Sequence, residues 1–179
     1  MAPSSPNFSD ATTAIAIPCA GRISGDESQY EIAVRAANAV LLAESATPAF
    51  AICARLGLGL IAIHRGDVSE AHRLYQAVES QVEASGLFTN FSTGRFLELL
   101  AHTMGDWNLA ATYFETAVDS CRCGGQKPEL AWSCYEYADM LLERNGEGDK
   151  AKAKGLLDES LAVSTDLGMR PLMERVLSR

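Results

Sequence analysis

Four Gly-Asp pairs punctuate the chain, at Gly25-Asp26, Gly66-Asp67, Gly105-Asp106 and Gly148-Asp149, spaced by 41, 39 and 43 residues. With 14 glycines and nine aspartates in 179 residues, composition alone gives about 0.7 such pairs and no regular spacing. The dipeptide has a local meaning. Glycine just past a helix enters the left-handed region without a Cβ clash and so ends the helix. Aspartate then offers a side-chain oxygen to the orphan N–H groups of the next helix and a negative charge to its positive end. Asp67 with Glu70, and Asp26 with Gln29, have the spacing of a capping box. So short a corner forces its two helices to lie antiparallel and in contact.

The segments between corners read as helices. The first pair is expected at about Ala11–Ile23 and Glu27–Ser45, with Pro18 bending the first helix or delaying its start. Ala33, Ala36, Ala37, Val40 and Leu41 form an apolar stripe at helical spacing in its partner. Thr47-Pro48 has the chemistry of a cap followed by a first-turn proline. It opens a second pair at about Pro48–Arg65 and Val68–Ala84. A third follows at about Asn90–Met104 and Trp107–Arg122, and a fourth at about Pro128–Arg144 and Lys150–Asp166. Arg170–Ser178 is expected to cap the end. The domain then spans 11–179, preceded by a disordered lead-in over 1–10, which holds Pro3, Ser4, Ser5 and Pro6. Alternation is nowhere sustained, so strands are not expected.

A hydrophobic content of 47% is enough for a substantial core, and few aromatics suit closely packed helices. The net charge of −8 argues against direct contact with nucleic acid, which needs a basic face. No apolar run approaches the roughly 20 residues of a membrane span. Met1–Asp10 lacks the positive charge of a secretory leader. Cys19, Cys53, Cys121, Cys123 and Cys134 form an odd, unpatterned set that suits reduced thiols. A cytoplasmic location is the expectation.

Superposing the corners aligns further residues. Ala71, Ala110 and Ala153 follow the corner, each succeeded four residues later by Tyr75, Phe114 or Leu157. Before the corner stand Leu58-Gly59 and Tyr137-Ala138, while the third pair departs with Leu97-Glu98. A small residue lets helices approach, and the large one a turn later fills the gap. This order of residues resembles the tetratricopeptide repeat (TPR). The period of about 40 is similar to the longer repeats at the C-terminus of bacterial ATP-dependent transcription activators and of TPR-bearing adenylate and guanylate cyclases. The run from Gly155 to Arg179 is similar to the way such chains close. The resemblance covers residues 11–179. The first pair keeps only its corner, and the fourth carries an insertion around Asn145-Gly146-Glu147.

The resemblance implies an all-α, right-handed superhelix of four antiparallel pairs plus a capping helix. It also implies a concave groove lined by one stripe of each first helix. Carried over by position, that stripe holds Cys53, Leu56, Leu60, Ile63 and His64, then Ser92, Arg95, Leu99, His102 and Thr103, then Trp132, Tyr135, Asp139, Leu142 and Glu143. The binding residues singled out are Leu60, His64, Arg95, Leu99, His102, Trp132, Tyr135, Asp139 and Glu143. The expected function is non-catalytic: binding of a peptide segment or sister domain, as the regulatory part of a signalling or transcription regulator. A small-inducer sensor and a self-assembly module are the competing readings. No cofactor is expected. His64 and His102 occupy equivalent positions but lack four convergent ligands for a metal. Cys121-Arg-Cys123 places its sulfurs on different sides of a helix. Gly57-Leu-Gly59 sits within a helix and lacks the third glycine of a dinucleotide fingerprint.

Overall fold

A computed structural model describes residues 8–85 and 93–179, with backbone alone at 8, 80–85 and 93. Every regular element among them is helical. The order is α1 (Phe8–Ser24), α2 (Tyr30–Leu41), α3 (Pro48–Arg65), α4 (Val68–Ser85), α5 (Thr93–Thr103), α6 (Trp107–Gly124), α7 (Lys127–Arg144), α8 (Asp149–Asp166) and α9 (Arg170–Leu177). Successive helices pack as antiparallel neighbours within two compact units, Met1–Met104 and Gly105–Arg179. The all-α order is that of four helix pairs and a terminal helix, with the third pair divided between the units.

All four corner glycines are left-handed, with φ of 78° at Gly25, 63° at Gly66, 78° at Gly105 and 81° at Gly148. The aspartates are less uniform. Asp67 Oδ1 accepts from the Glu70 amide at 3.0 Å, and Asp106 Oδ1 accepts from the Leu109 amide at 3.0 Å. These two cap their helices as expected. Asp26 does not pair with Gln29. Its carboxylate takes the Ser28 amide at 2.8 Å, and α2 starts only at Tyr30. Nor does Glu70 close a capping box, because both its oxygens are taken by the Arg73 guanidinium three residues on.

The fourth corner is built differently. The insertion lets α7 end on a left-handed Asn145, and Gly148 follows as the N-cap of α8. Asp149 turns back to accept from the Gly146 amide at 2.8 Å and from the Arg144 fork at 2.7 and 2.8 Å. The Arg144 hydrogen bonds hold its carboxyl at about 2.

In the first unit α1 packs against α2 and α3, and α3 also meets α4 and α5. Pro18 neither breaks nor delays α1, which starts at Phe8 and runs on to Ser24. The proline lacks an N–H, so the Ala14 carbonyl loses its usual donor one turn on. Gly57 of α3 lies directly against that carbonyl: a Cβ at Gly57 would stand 1.9 Å from Ala14 O. Close approach of an α-carbon to a carbonyl is a weak favourable contact. It also locks the crossing of α1 and α3 to a residue without a side chain. Gly59, two residues on, lies under the Phe96 ring of α5.

The end of α2 and the apolar character of α3 also differ from the sequence expectation. α2 ends at Leu41 rather than at Ser45, giving way to turns closed by Ala43 N–H to Val40 O and Ala46 N–H to Ala43 O. By length and composition alone, α3 would also pass for a membrane span, at 18 residues and mean hydropathy 1.3. In the fold 44% of that span is buried, including Ile52, Ala54, Leu56 and Leu60, all 2% exposed or less.

The second unit is centred on α7, which packs on α6 and, most extensively, on α8. Ala110 and Ala153, the small residues after each corner, are fully buried, as is Phe114. Phe114 stacks flat on Tyr137 with ring centroids 5.1 Å apart. The Ser160 hydroxyl of α8 donates to the Ala131 carbonyl of α7 at 2.7 Å. Helix α9 closes this unit by setting Leu172 and Val176 against Ala131 and Tyr135.

The Pro18–Gly57 crossing gives a stability prediction. Gly57→Ala is expected to destabilise the first unit by about 2–3 kcal/mol, as overpacking against backbone does. Gly155→Ala, where a Cβ meets nothing within 4 Å, is expected to stabilise by roughly 1 kcal/mol. Urea denaturation of both variants measures the contrast, and equal effects would contradict it.

Candidate functional site

The residues singled out by sequence fall into three places. On α3, Leu60 is 1% exposed, and His64 is turned toward α2, its Nδ1 2.5 Å from the Tyr30 hydroxyl and its Nε2 3.7 Å from Glu27. On α5, Arg95 and Leu99 are buried at 5% and 4% exposure, and His102 is half-buried. Ser92 lies outside the described residues.

On α7, Trp132, Tyr135 and Asp139 lie beside α9. Tyr135 is buried with Leu172 and Val176, and the Arg175 guanidinium lies 5.6 Å from the Trp132 ring centroid. Asp139 pairs with Arg179 at 2.5 Å. Glu143, at the end of the stripe, is exposed. The chain's own C-terminal segment, α9 with Arg179, thus occupies the α7 stripe from Trp132 to Asp139.

A different surface of the second unit forms an open cleft of about 520 Å³. It lies between α6 and α8, over the Tyr137 side of α7. From α6 come Glu115, Val118, Asp119 and Arg122; from α8 come Lys152, Gly155, Leu156 and Glu159. Two ion pairs span it. Lys152 Nζ donates to Glu115 Oε1 at 2.5 Å, and Arg122 grips Glu159 with Nε at 3.1 Å and Nη2 at 2.6 Å. Each pair links residues 37 apart in sequence. The charges are inverted, acid then base along α6 and base then acid along α8. The two members on each helix are seven residues apart, so the straps lie two helical turns from one another.

Each strap has further support. The Tyr137 hydroxyl donates to Glu115 Oε1 at 3.0 Å and accepts from Lys152 at 2.8 Å, while the ammonium stands 4.7 Å from the Tyr137 ring centroid. At the other end Arg122 Nη1 donates to Asp119 Oδ1 at 3.1 Å. The buried Cys134 thiol points at Glu159 Oε2 from 3.6 Å.

Charge states follow from these contacts. The hydrogen bond from Lys152, with that from Tyr137, lowers Glu115, and the bond from Arg122 lowers Glu159. Burial acts to lower Lys152, but its bonds to Glu115 and Tyr137 outweigh this and its net shift is upward. Arg122 is raised by its bonds to Glu159. Burial first, and then the Glu159 charge, push the Cys134 thiol up to about 12, so it stays protonated at neutral pH.

None of the cleft residues was singled out for binding from sequence. A signal did exist: Glu115 and Arg122, and 37 residues later Lys152 and Glu159, carry opposite charges at matched two-turn spacing. Comparison with protein-family models, with curated proteins and with solved structures returns no match.

The straps predict an acid response. Both carboxyls are lowered, so their contribution to stability is present above the unfolded carboxylate range and is lost as pH falls through the lower folded values. Carboxyl-carbon NMR titration is expected to place Glu115 and Glu159 both below the ordinary glutamate value of 4.5. Midpoints at or above that value would mean the straps are open in solution.

Proposed function

We propose that this chain is a non-catalytic TPR-like interaction module that binds a segment of a partner protein in the cleft between α6 and α8. On this reading the array is the regulatory part of a signalling or transcription regulator, the role its repeat pattern and its period of about 40 suggest. The observation that carries the reading is the cleft itself. Its side walls are held apart by two cross-groove ion pairs, and its middle is kept empty by Gly155, where a Cβ would meet nothing within 4 Å. A preformed recess with an apolar floor and polar walls loses little freedom when a segment enters.

A second reading has one observation in its favour. The volume of about 520 Å³ lies within the range of small-molecule sites, which suits an inducer sensor. The charged, half-open walls favour a peptide, whose backbone and side chains can use both signs of charge. Selection from a random-peptide display library on the full chain tests the proposal. Enriched peptides are expected to lose at least about tenfold in affinity, roughly 1.4 kcal/mol, for the Gly155→Leu variant, whose cleft is filled. No enrichment, or peptides indifferent to Gly155→Leu, would overturn it.

A further inference from the structure

We infer that the α6–α8 cleft selects a basic side chain, the arginine or lysine of a partner segment, seated between the two straps over Gly155. This rests on the interaction reading above and adds the chemistry of what is bound. The argument is one of surplus negative charge and open acceptor positions. Each cation of the cleft already holds a carboxylate, though both keep N–H groups to spare. Arg122 spends Nε and Nη2 on Glu159 and Nη1 on Asp119, and Lys152 bonds both Glu115 and the Tyr137 hydroxyl.

The acids are not exhausted. A carboxylate has two oxygens and about four acceptor positions. Glu115 is engaged through Oε1 and Asp119 through Oδ1, and their side chains are 56% and 74% exposed. They stand four residues apart on α6, which places them on one face a single turn apart. A cation can therefore enter between them without breaking any bond already made. An anion at the N–H groups that Arg122 and Lys152 have left would sit against the carboxylates those cations already hold, Glu159 with Asp119 and Glu115. The five charged residues lining the cleft sum to −1 (Glu115, Asp119 and Glu159 against Arg122 and Lys152), and the chain as a whole carries −8. The field thus favours the same sign of partner as the local geometry.

The floor suits the rest of such a side chain. Val118 and Leu156 are the apolar lining between the straps, and the methylene stems of arginine and lysine pack on surfaces of this kind while the head stays polar. Gly155 lies three residues after Lys152 and four before Glu159, on the same face of α8 as both. Glycine inside a helix costs about 1 kcal/mol relative to alanine. Here no neighbour within the chain requires it, since a Cβ at this position meets nothing within 4 Å. What the missing side chain provides is depth between the straps, where the stem would lie.

Amide NMR of the isotopically labelled full chain tests this with three end-blocked peptides of one design, Ser-Ala-X-Ala-Ser, where X is arginine, glutamate or leucine. The arginine peptide is expected to shift the Asp119 and Gly155 amides saturably, while the other two leave them in place. E115Q combined with D119N is expected to raise its Kd by about fivefold or more at low salt, with the fold retained by circular dichroism. Equal or tighter binding of the glutamate or leucine peptide, no saturable shift at these amides, or indifference to the double substitution would overturn the inference. Display-selected peptides that depend on Gly155 but carry no basic residue would sink it and leave the interaction reading standing. Failure of the selection itself would remove both.

Discussion

A helix that must stop within one residue needs a position that can turn left-handed, and this chain depends on meeting that requirement at regular intervals. Gly25, Gly66 and Gly105 sit at φ between 63° and 78°, and Asn145 at 50° ends α7 in the same way, a region that costs most other residues a Cβ clash. Within each unit, each reversal delivers the next helix antiparallel to the last. Burial of small residues such as Ala71, Ala110 and Ala153, all at 0% exposure, then holds neighbours at close range. Neither contribution suffices alone, since a short helical hairpin cannot bury both its faces and gains its stability from the next helix in the stack.

What could be read from sequence was what is local in sequence. Glycine conformation and an aspartate oxygen within reach of an amide three residues on are properties of a few adjacent residues, so the corners and most helix spans were legible. Errors arose where a second partner competed. Glu70 has the capping-box spacing, yet Arg73 offers it two charge-assisted bonds and takes it. Pro18 reads as a bend or a late start for α1, because Gly57, which lies against the freed Ala14 carbonyl, is about 40 residues away. The α7 stripe of Trp132, Tyr135 and Asp139 is aligned at helical spacing, but only the fold reveals that α9 lies over it.

The cleft was the least legible feature because it is defined by what is missing. An unfilled position at Gly155 leaves no motif, and the two straps leave only a charge inversion between residues 37 apart. In the fold they cooperate: Tyr137, stacked on Phe114, fixes the Lys152–Glu115 pair from below, while Arg122 is forked between Glu159 and Asp119. Exposed ion pairs of this kind add little stability individually. Their effect here is geometric, since they set the spacing of two parallel walls and leave carboxylate oxygens facing the gap. Function in this reading follows from an architecture of hairpins that leaves room between alternate helices.

That architecture can be tested at a single position. Gly66 stands at φ 63°, ψ 29°, where an added Cβ meets no atom within 4 Å, so replacing it changes backbone preference and nothing else. Urea unfolding of Gly66→Ala should show a loss of roughly 1 kcal/mol, the cost of forcing an L-residue into the left-handed region. A neutral or stabilising effect would mean that the chain runs helically through this point, and the corners would no longer explain the fold.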